Sequence, residues 1–267
     1  MKLAFREFGS GQPLIILHGL FGQSDNWNTL AKNFGEKGFR IFTLDQRNHG
    51  LSPHSDEWNY EVMATDLKEF IDDHQLQNPI LLGHSMGGKT VLFFELKYSG
   101  VAQKLIIVDI AARAYEPHHN DVLKALHAVD FNTITTRKEA EALMNTYLTD
   151  FGTKQFLLKN IYWKDDVTLS GVEVGMERKQ MAWRFNLEAI TKNYDNIGVA
   201  VPDFTSATET LIINGEKSNY ITEHDKFDFK KCFNNIQFKT ILNAGHWVHA
   251  EKPKEFFEVV INFLLPH

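Results

Sequence analysis

The chain has a single cysteine, Cys232, among its 267 residues. That excludes an internal disulfide and any metal site built on several thiolates. A lone thiol fits a reducing compartment. Basic residues are also scarce: 28 Lys and Arg stand against 34 Asp and Glu, a formal net charge of -6, and no basic run or stripe is present. This balance argues against nucleic acid as the main partner. No apolar run is long enough to span a bilayer. Residues 1–8 carry Lys2, Arg6 and Glu7 where a signal peptide would need an unbroken apolar stretch. The expectation is a soluble, cytoplasmic protein. Internal repeats and low-complexity segments are lacking too. What is present is an ordinary globular composition, 43% hydrophobic, with enough apolar mass for a sizeable core.

The most informative stretch is Ile80-Leu81-Leu82-Gly83-His84-Ser85-Met86-Gly87-Gly88-Lys89-Thr90. An apolar strand runs into an abrupt turn with Ser85 at its tip, and a helix starts at once. Gly-x-Ser-x-Gly in that context is a nucleophile elbow. The serine takes up a strained backbone so that its hydroxyl stands clear of the sheet. Strand and helix are then expected to crowd each other on either side of it, which is why Gly83 and Gly87 lack a Cβ.

Around this stretch the chain alternates between the two regular periods. The short unbroken apolar run at 14–17 reads as a strand buried on both faces, 104–109 reads as another of that buried type, and further strands are read at 39–45 and 80–84, with a weaker first strand at 3–8. Helical patterns separate them, including one from about 58 to 74. Such alternation predicts a parallel sheet covered on both sides. The pattern stops at residue 111. From there to 208 no strand is evident, and segments near 121–129, 137–148, 154–162 and 187–194 look helical. Strands resume at 210–215 and 236–242, and a helix opened by Pro253 closes the chain. The expected organisation is a sheet core of residues 1–110 and 209–267 with a helical insertion at 111–208.

A serine at the elbow needs a base, an acid and an oxyanion site. His246 lies on the loop after the last strand, where the base is required; His249, three residues on, is the nearest rival but falls in the following turn. The acid usually follows the strand at 211–214. Ser218 stands where an aspartate is most often found there, and Glu216 lies early in the turn. Asp109, at the C-terminal end of the preceding strand, points toward the ligand crevice and is favoured over Glu216. Ser218 would then make a secondary hydrogen bond to the imidazole. For the oxyanion, one N–H should come from Met86, at the start of the elbow helix. The other should come from the turn after 14–17, with Leu20 preferred and Phe21 second. His18 is read as a brace for that turn. The turn 45–50, Asp-Gln-Arg-Asn-His-Gly, is read as solvated and hydrogen-bonded rather than as a phosphate or metal site. Tyr115, Trp163, Trp183 and Phe185 either line a pocket or pack the insertion.

These motifs resemble the α/β-hydrolase superfamily, and within it the bacterial YbfF-type esterases. The resemblance rests on His18-Gly19-Leu20-Phe21-Gly22, the segment 45–53, Gly83-His84-Ser85-Met86-Gly87-Gly88-Lys89, Val108-Asp109-Ile110 and the segment 243–249. It implies an α/β-hydrolase fold with a mostly parallel central sheet flanked by helices and a helical cap inserted between strands. It further implies carboxylester or thioester hydrolysis, with fatty acyl esters and acyl-coenzyme A among the substrates of similar proteins. In this subgroup the acid is thought to come from the Asp109 position. No metal or organic cofactor is expected. The alternatives on the same frame are a carbon–carbon bond hydrolase, a lyase, a cofactor-free perhydrolase, or a ligand-binding protein without catalysis.

Overall fold

The computed structural model describes residues 1–117, 119–164 and 180–265. Its centre is a seven-stranded sheet in the order β1-β3-β2-β4-β5-β8-β9. The strands are β1 (Phe5–Phe8), β2 (Gln12–Leu17), β3 (Phe39–Leu44), β4 (Ile80–His84), β5 (Lys104–Val108), β8 (Glu209–Gly215) and β9 (Ile236–Ile241). Only β1 runs antiparallel to its neighbour; the other pairings are parallel.

Side-chain alternation on these strands divides the interior in two. Leu14, Ile16, Leu82, Ile106 and Val108 meet α1 (Asn28–Gly35) and the C-terminal helix (Pro253–Leu264) on one face. Ile15, Leu17, Leu81, Leu105 and Ile107 meet α2 (Tyr60–Asp73) and α3 (Met86–Tyr98) on the other. Both faces are dry, which is why the central strands read as unbroken apolar runs.

Parallel registry brings the strand ends level. Leu17 pairs with Gly83, His84 with Val108, and Val108 with Ile213. The loops leaving β2, β4, β5, β8 and β9 therefore gather along one rim, the place where open α/β sheets bind ligands.

Between β5 and β8 lie α4 (Asn120–His127), α5 (Arg137–Met144), α6 (Phe151–Leu158) and α7 (Leu187–Lys192). The sequence reading is corrected here, because a two-stranded antiparallel sheet also occurs: β6 (Ile161–Lys164) pairs with β7 (Gln180–Trp183). Each strand has four residues, too few to display an alternation, and residues 161–162 fall at the end of the segment 154–162 that the sequence predicts as helical. The helix α8 (Glu223–Cys232) was likewise not anticipated. It announces itself by a capping box, Thr222 with Asp225. Buried side chains of the insertion, among them Leu126, Met144, Leu157 and Ile190, join the core under α2 and α3.

The elbow glycines are explained by distance, with one correction. A Cβ on Gly83 would lie 2.3 Å from the Gly87 carbonyl oxygen, as expected for strand against helix. A Cβ on Gly87 would instead strike the end of β2, at 2.5 Å from the Leu17 oxygen and 2.7 Å from that of His18. Gly87 thus lets α3 approach the loop that carries Leu20. Gly87→Ala should cost about 2 kcal/mol or more, because backbone on both sides has to yield. A thermal melt showing an unchanged midpoint would contradict that packing.

Candidate active site

Ser85 sits between β4 and α3 with φ 51° and ψ -118°, a strained left-handed conformation for a non-glycine residue. Its N–H donates to the Val108 oxygen at 2.9 Å, which ties the elbow to the neighbouring strand. The side chain is left half-exposed at the rim. His246, on the loop after β9, places Nε2 3.0 Å from Ser85 Oγ. Its Nδ1 lies 2.7 Å from Asp109 Oδ2. A carboxylate acceptor at Nδ1 requires the N–H there, so Nε2 is the nitrogen that accepts from the serine hydroxyl.

Asp109 follows β5 directly, with φ 52° and its N–H bonded to the Ile213 oxygen at 2.8 Å. Its carboxylate is wholly buried. Burial of that charge is made tolerable by three donors. His246 Nδ1 and the Ser218 hydroxyl both reach Oδ2, so Ser218 bonds the carboxylate rather than the expected imidazole, and the Gly215 N–H reaches Oδ1 at 3.1 Å. Glu216, the rival acid, is exposed, and its Oε2 accepts from the Asn243 N–H at 2.8 Å, away from the imidazole.

The turn after β2 separates the two oxyanion candidates. The Phe21 N–H donates to His49 Nε2 at 3.2 Å and is thereby committed. Leu20 and Met86 both line the same cavity as Ser85. His18 braces the turn, as anticipated: Nδ1 donates to the Gly19 oxygen at 2.8 Å, and Nε2 accepts from the Gln46 N–H at 3.0 Å. The segment 45–49 departs from expectation. It is hydrogen-bonded but buried rather than solvated. Asp45 accepts from the Ser24 and Leu51 N–H groups, and Arg47 holds Asp66 through two nitrogens at 2.6 and 2.9 Å. These polar residues form the inner wall on which the Leu20 turn rests.

Three further residues shape the site without having been singled out. The Tyr220 ring stacks on the His246 imidazole, with centroids 3.8 Å apart and planes 17° apart. His84, at the end of β4, is buried, and its Nε2 donates to the His246 backbone oxygen at 2.9 Å. Burial, with His249 and His246 as neighbours, holds His84 well below the usual histidine range. Lys89, on α3, is buried and donates to the carbonyls of Arg113 at 2.8 Å and Val199 at 2.6 Å, joining the two ends of the insertion. Burial, then the charge of Arg113, lowers its pKa to about 7. Only Tyr220 had a sequence cue, its position two residues after Ser218.

A cavity of about 370 Å³ opens beside Ser85, with Leu20, Met86, Ile110, Tyr115, Ile197 and Val199 among its walls. A second space of about 90 Å³, between the Leu20 turn and α6, shares Ser85 and Leu20 with it. Of the aromatic residues in the insertion, Tyr115 lines the cavity, whereas Trp183 stacks on Phe185 and Trp163 is partly exposed. Among the described residues, no group of three or more His, Cys, Asp or Glu is placed to hold a metal ion. Nor is any helix among them long and apolar enough to cross a membrane.

A family model of the alpha/beta hydrolase fold matches residues 12–253. The chain belongs to the α/β-hydrolase family. Among α/β hydrolases it is 33% identical over 258 residues to esterase YbfF of Escherichia coli K12, covering 96% of this chain and 94% of that one. It is 35% identical over 260 residues to the sn-1-specific diacylglycerol lipase ABHD11 of Mus musculus, covering 94% of this chain and 80% of the relative. A solved structure described as a marine microorganism esterase superposes with a TM-score of 0.91 at 38% identity, over 98% of this chain and 99% of that one. These relatives make this α/β hydrolase one of the esterase and lipase type.

Proposed function

We propose that the chain is a serine hydrolase that cleaves acyl esters through a covalent acyl-enzyme, with Ser85 as nucleophile, His246 as base and Asp109 as acid. The observation that carries this reading is the continuous path from Ser85 Oγ through His246 Nε2 and Nδ1 to Asp109 Oδ2, at 3.0 and 2.7 Å. Near-attack geometry of this kind does not require rearrangement before chemistry.

In the proposed reaction Ser85 Oγ forms a bond to the ester carbonyl carbon while its proton passes to His246 Nε2. The Leu20 and Met86 N–H groups stabilise the oxyanion. Collapse breaks the bond to the alcohol, and the same proton leaves Nε2 for the departing oxygen. Water, deprotonated by His246, then attacks the acyl-serine, and His246 Nε2 returns that proton to Ser85 Oγ as the acyl–oxygen bond breaks and the acid is released. Asp109 keeps the imidazole in the required tautomer and stabilises the imidazolium, and Ser218 steadies the carboxylate. The insertion at 111–208 acts as a cap, because its residues close the cavity opposite the sheet rim. Thioesters carry the same carbonyl chemistry and belong to this reading as a second substrate class.

Turnover of p-nitrophenyl esters and labelling of Ser85 by a fluorophosphonate test the proposal together. Both should occur in the wild-type chain, and both should vanish in Ser85→Ala. An unlabelled serine without ester turnover would leave a ligand-binding protein on a hydrolase frame. A labelled serine without ester turnover would point to carbon–carbon cleavage on the same frame.

A further inference from the structure

The Leu20 turn is not held by its own neighbours alone. Asn160, which follows α6 in the insertion, donates from Nδ2 to the Phe21 oxygen at 2.9 Å, across 139 residues of sequence. The same nitrogen lies 3.3 and 3.4 Å from the Leu157 and Phe156 oxygens. Three carbonyls around one atom require the NH2 group there. Asn160 is buried, and its Oδ1 meets no donor among the described residues. A buried amide with an unsatisfied oxygen carries a cost that a leucine of similar size would avoid, so the bond to Phe21 calls for a physical reason.

The bonds within the turn supply one. Phe21 O and the Gly22 N–H belong to one planar peptide, and that N–H donates to the Gly19 oxygen at 2.9 Å. The Gly19 oxygen shares the next peptide plane with the Leu20 N–H, and His18 Nδ1 donates to it as well, at 2.8 Å. These peptides are trans, so N–H and C=O point in opposite directions. Fixing the Gly19 oxygen therefore fixes the direction of the Leu20 N–H. A Cβ on Gly19 would lie 3.2 Å from the Ser85 Cβ, which measures how closely this peptide approaches the serine. Phe21 has φ 58°, a left-handed conformation that a phenylalanine keeps only under constraint. The constraint comes from the insertion: Asn160 holds its oxygen, and the Phe185 ring packs on its ring with centroids 4.9 Å apart.

We infer that Asn160 is a positioning residue for ester cleavage: through two peptide planes in series it sets the Leu20 N–H that receives the oxyanion. This role rests on the serine-hydrolase reading above, in which Leu20 is an oxyanion donor. Each hydrogen bond in the series also polarises the next, so the last N–H becomes a stronger donor. The insertion thus acts on the chemistry as well as on the shape of the cavity, because the rate depends on how it sits against the 19–22 turn.

Asn160→Leu tests this with an activated ester and its thionoester, in which sulfur replaces the carbonyl oxygen. Sulfur accepts hydrogen bonds weakly, so thionoester turnover gains little from the two N–H donors. The donor is loosened rather than removed, so kcat on the ester should fall about tenfold with KM close to its original value. The ratio of ester to thionoester turnover should shrink by about the same factor. A merely structural role would slow both substrates alike; an unchanged ratio, or an unchanged kcat on the ester, would overturn the inference. Asn160→Ala removes the same NH2 group without adding bulk and carries the same test if Asn160→Leu does not fold. Ser85→Ala keeps the two readings apart. Ester turnover that survives in Ser85→Ala would sink the serine-hydrolase reading itself. Turnover lost in Ser85→Ala, with the wild-type ratio kept in Asn160→Leu, would remove only the role of Asn160.

Discussion

Asp109→Asn is expected to lower kcat by about ten-thousandfold while leaving KM close to its original value. The carboxylate has one role that an amide cannot fill. His246 needs an acceptor at Nδ1 so that its other nitrogen, 3.0 Å from Ser85 Oγ, is free to take a proton. The Ser218 hydroxyl and the Gly215 N–H both aim donors at this carboxylate. An asparagine that keeps its oxygen on the Gly215 N–H has to place its NH2 group at the Oδ2 position, against the imidazole and the Ser218 hydroxyl, which drives the proton to Nε2 and disarms the base. The positive charge that forms on His246 in the transition state also loses its counter-ion. Ser218→Ala should cost about tenfold or less, since it removes one of three donors and leaves the charge in place. Glu216→Gln should leave kcat nearly unchanged, because Glu216 braces the loop backbone at Asn243. Steady-state kinetics on one activated ester separates these cases. A large loss in Glu216→Gln with a small one in Asp109→Asn would move the acid to the following strand.

The placement of Asp109 illustrates what could be read from residues alone. Strands buried on both faces lose their alternation and become apolar runs, so β2, β4, β5 and β8 were legible, and with them the loops that leave their ends. The nearness of Ser85, His246 and Asp109 was legible because a parallel sheet brings successive strand ends level. The Ser85 turn was recognisable by its glycines. Contacts made across long sequence separations left no such trace. Arg47 and Asp66 form their buried pair from a turn and a helix, and nothing local distinguishes that turn from a solvated one. The stacking of Tyr220 on His246 depends on how two loops cross at the rim. The β6–β7 pair failed for a different reason: its strands are four residues long and separated by residues 165–179, so neither periodicity nor a tight-turn signal was available.

Acid should unfold this protein at an unusually mild pH, through histidines that take no part in the proposed chemistry. Four imidazoles near the rim are buried: His18, His49, His84 and His249. Burial lowers His18 to about 4 and both His49 and His249 to about 3, and it holds His84 well below the ordinary value. Their hydrogen bonds need the neutral form. His18 and His49 each accept a backbone N–H on Nε2, from Gln46 and Phe21, and a protonated ring could not. His249 stacks flat on Trp27 at 4.1 Å, and its buried Nδ1 has no partner among the described residues. In the unfolded chain each of these groups titrates near 6.5. The folded pKa values are depressed, so below 6.5 the unfolded state binds protons that the folded state refuses. Stability is therefore complete above that pH and declines as the pH falls toward the folded values. Each histidine contributes about 1.4 kcal/mol per pH unit once it is well below its unfolded value. His18, His49 and His249 together remove about 4 kcal/mol between pH 6 and pH 5, a sum that approaches the whole stability of many domains, and His84 acts in the same direction. Urea unfolding followed by circular dichroism should show the midpoint falling steeply over that interval, independently of any loss of activity from protonation of His246. In His249→Phe, which keeps the ring on Trp27 and removes one titrating group, the slope should lessen by about a quarter. A midpoint that stays level from pH 7 to pH 5 would mean that these rings already carry protons in the folded state, and the hydrogen bonds that hold the Leu20 turn would have to be drawn differently.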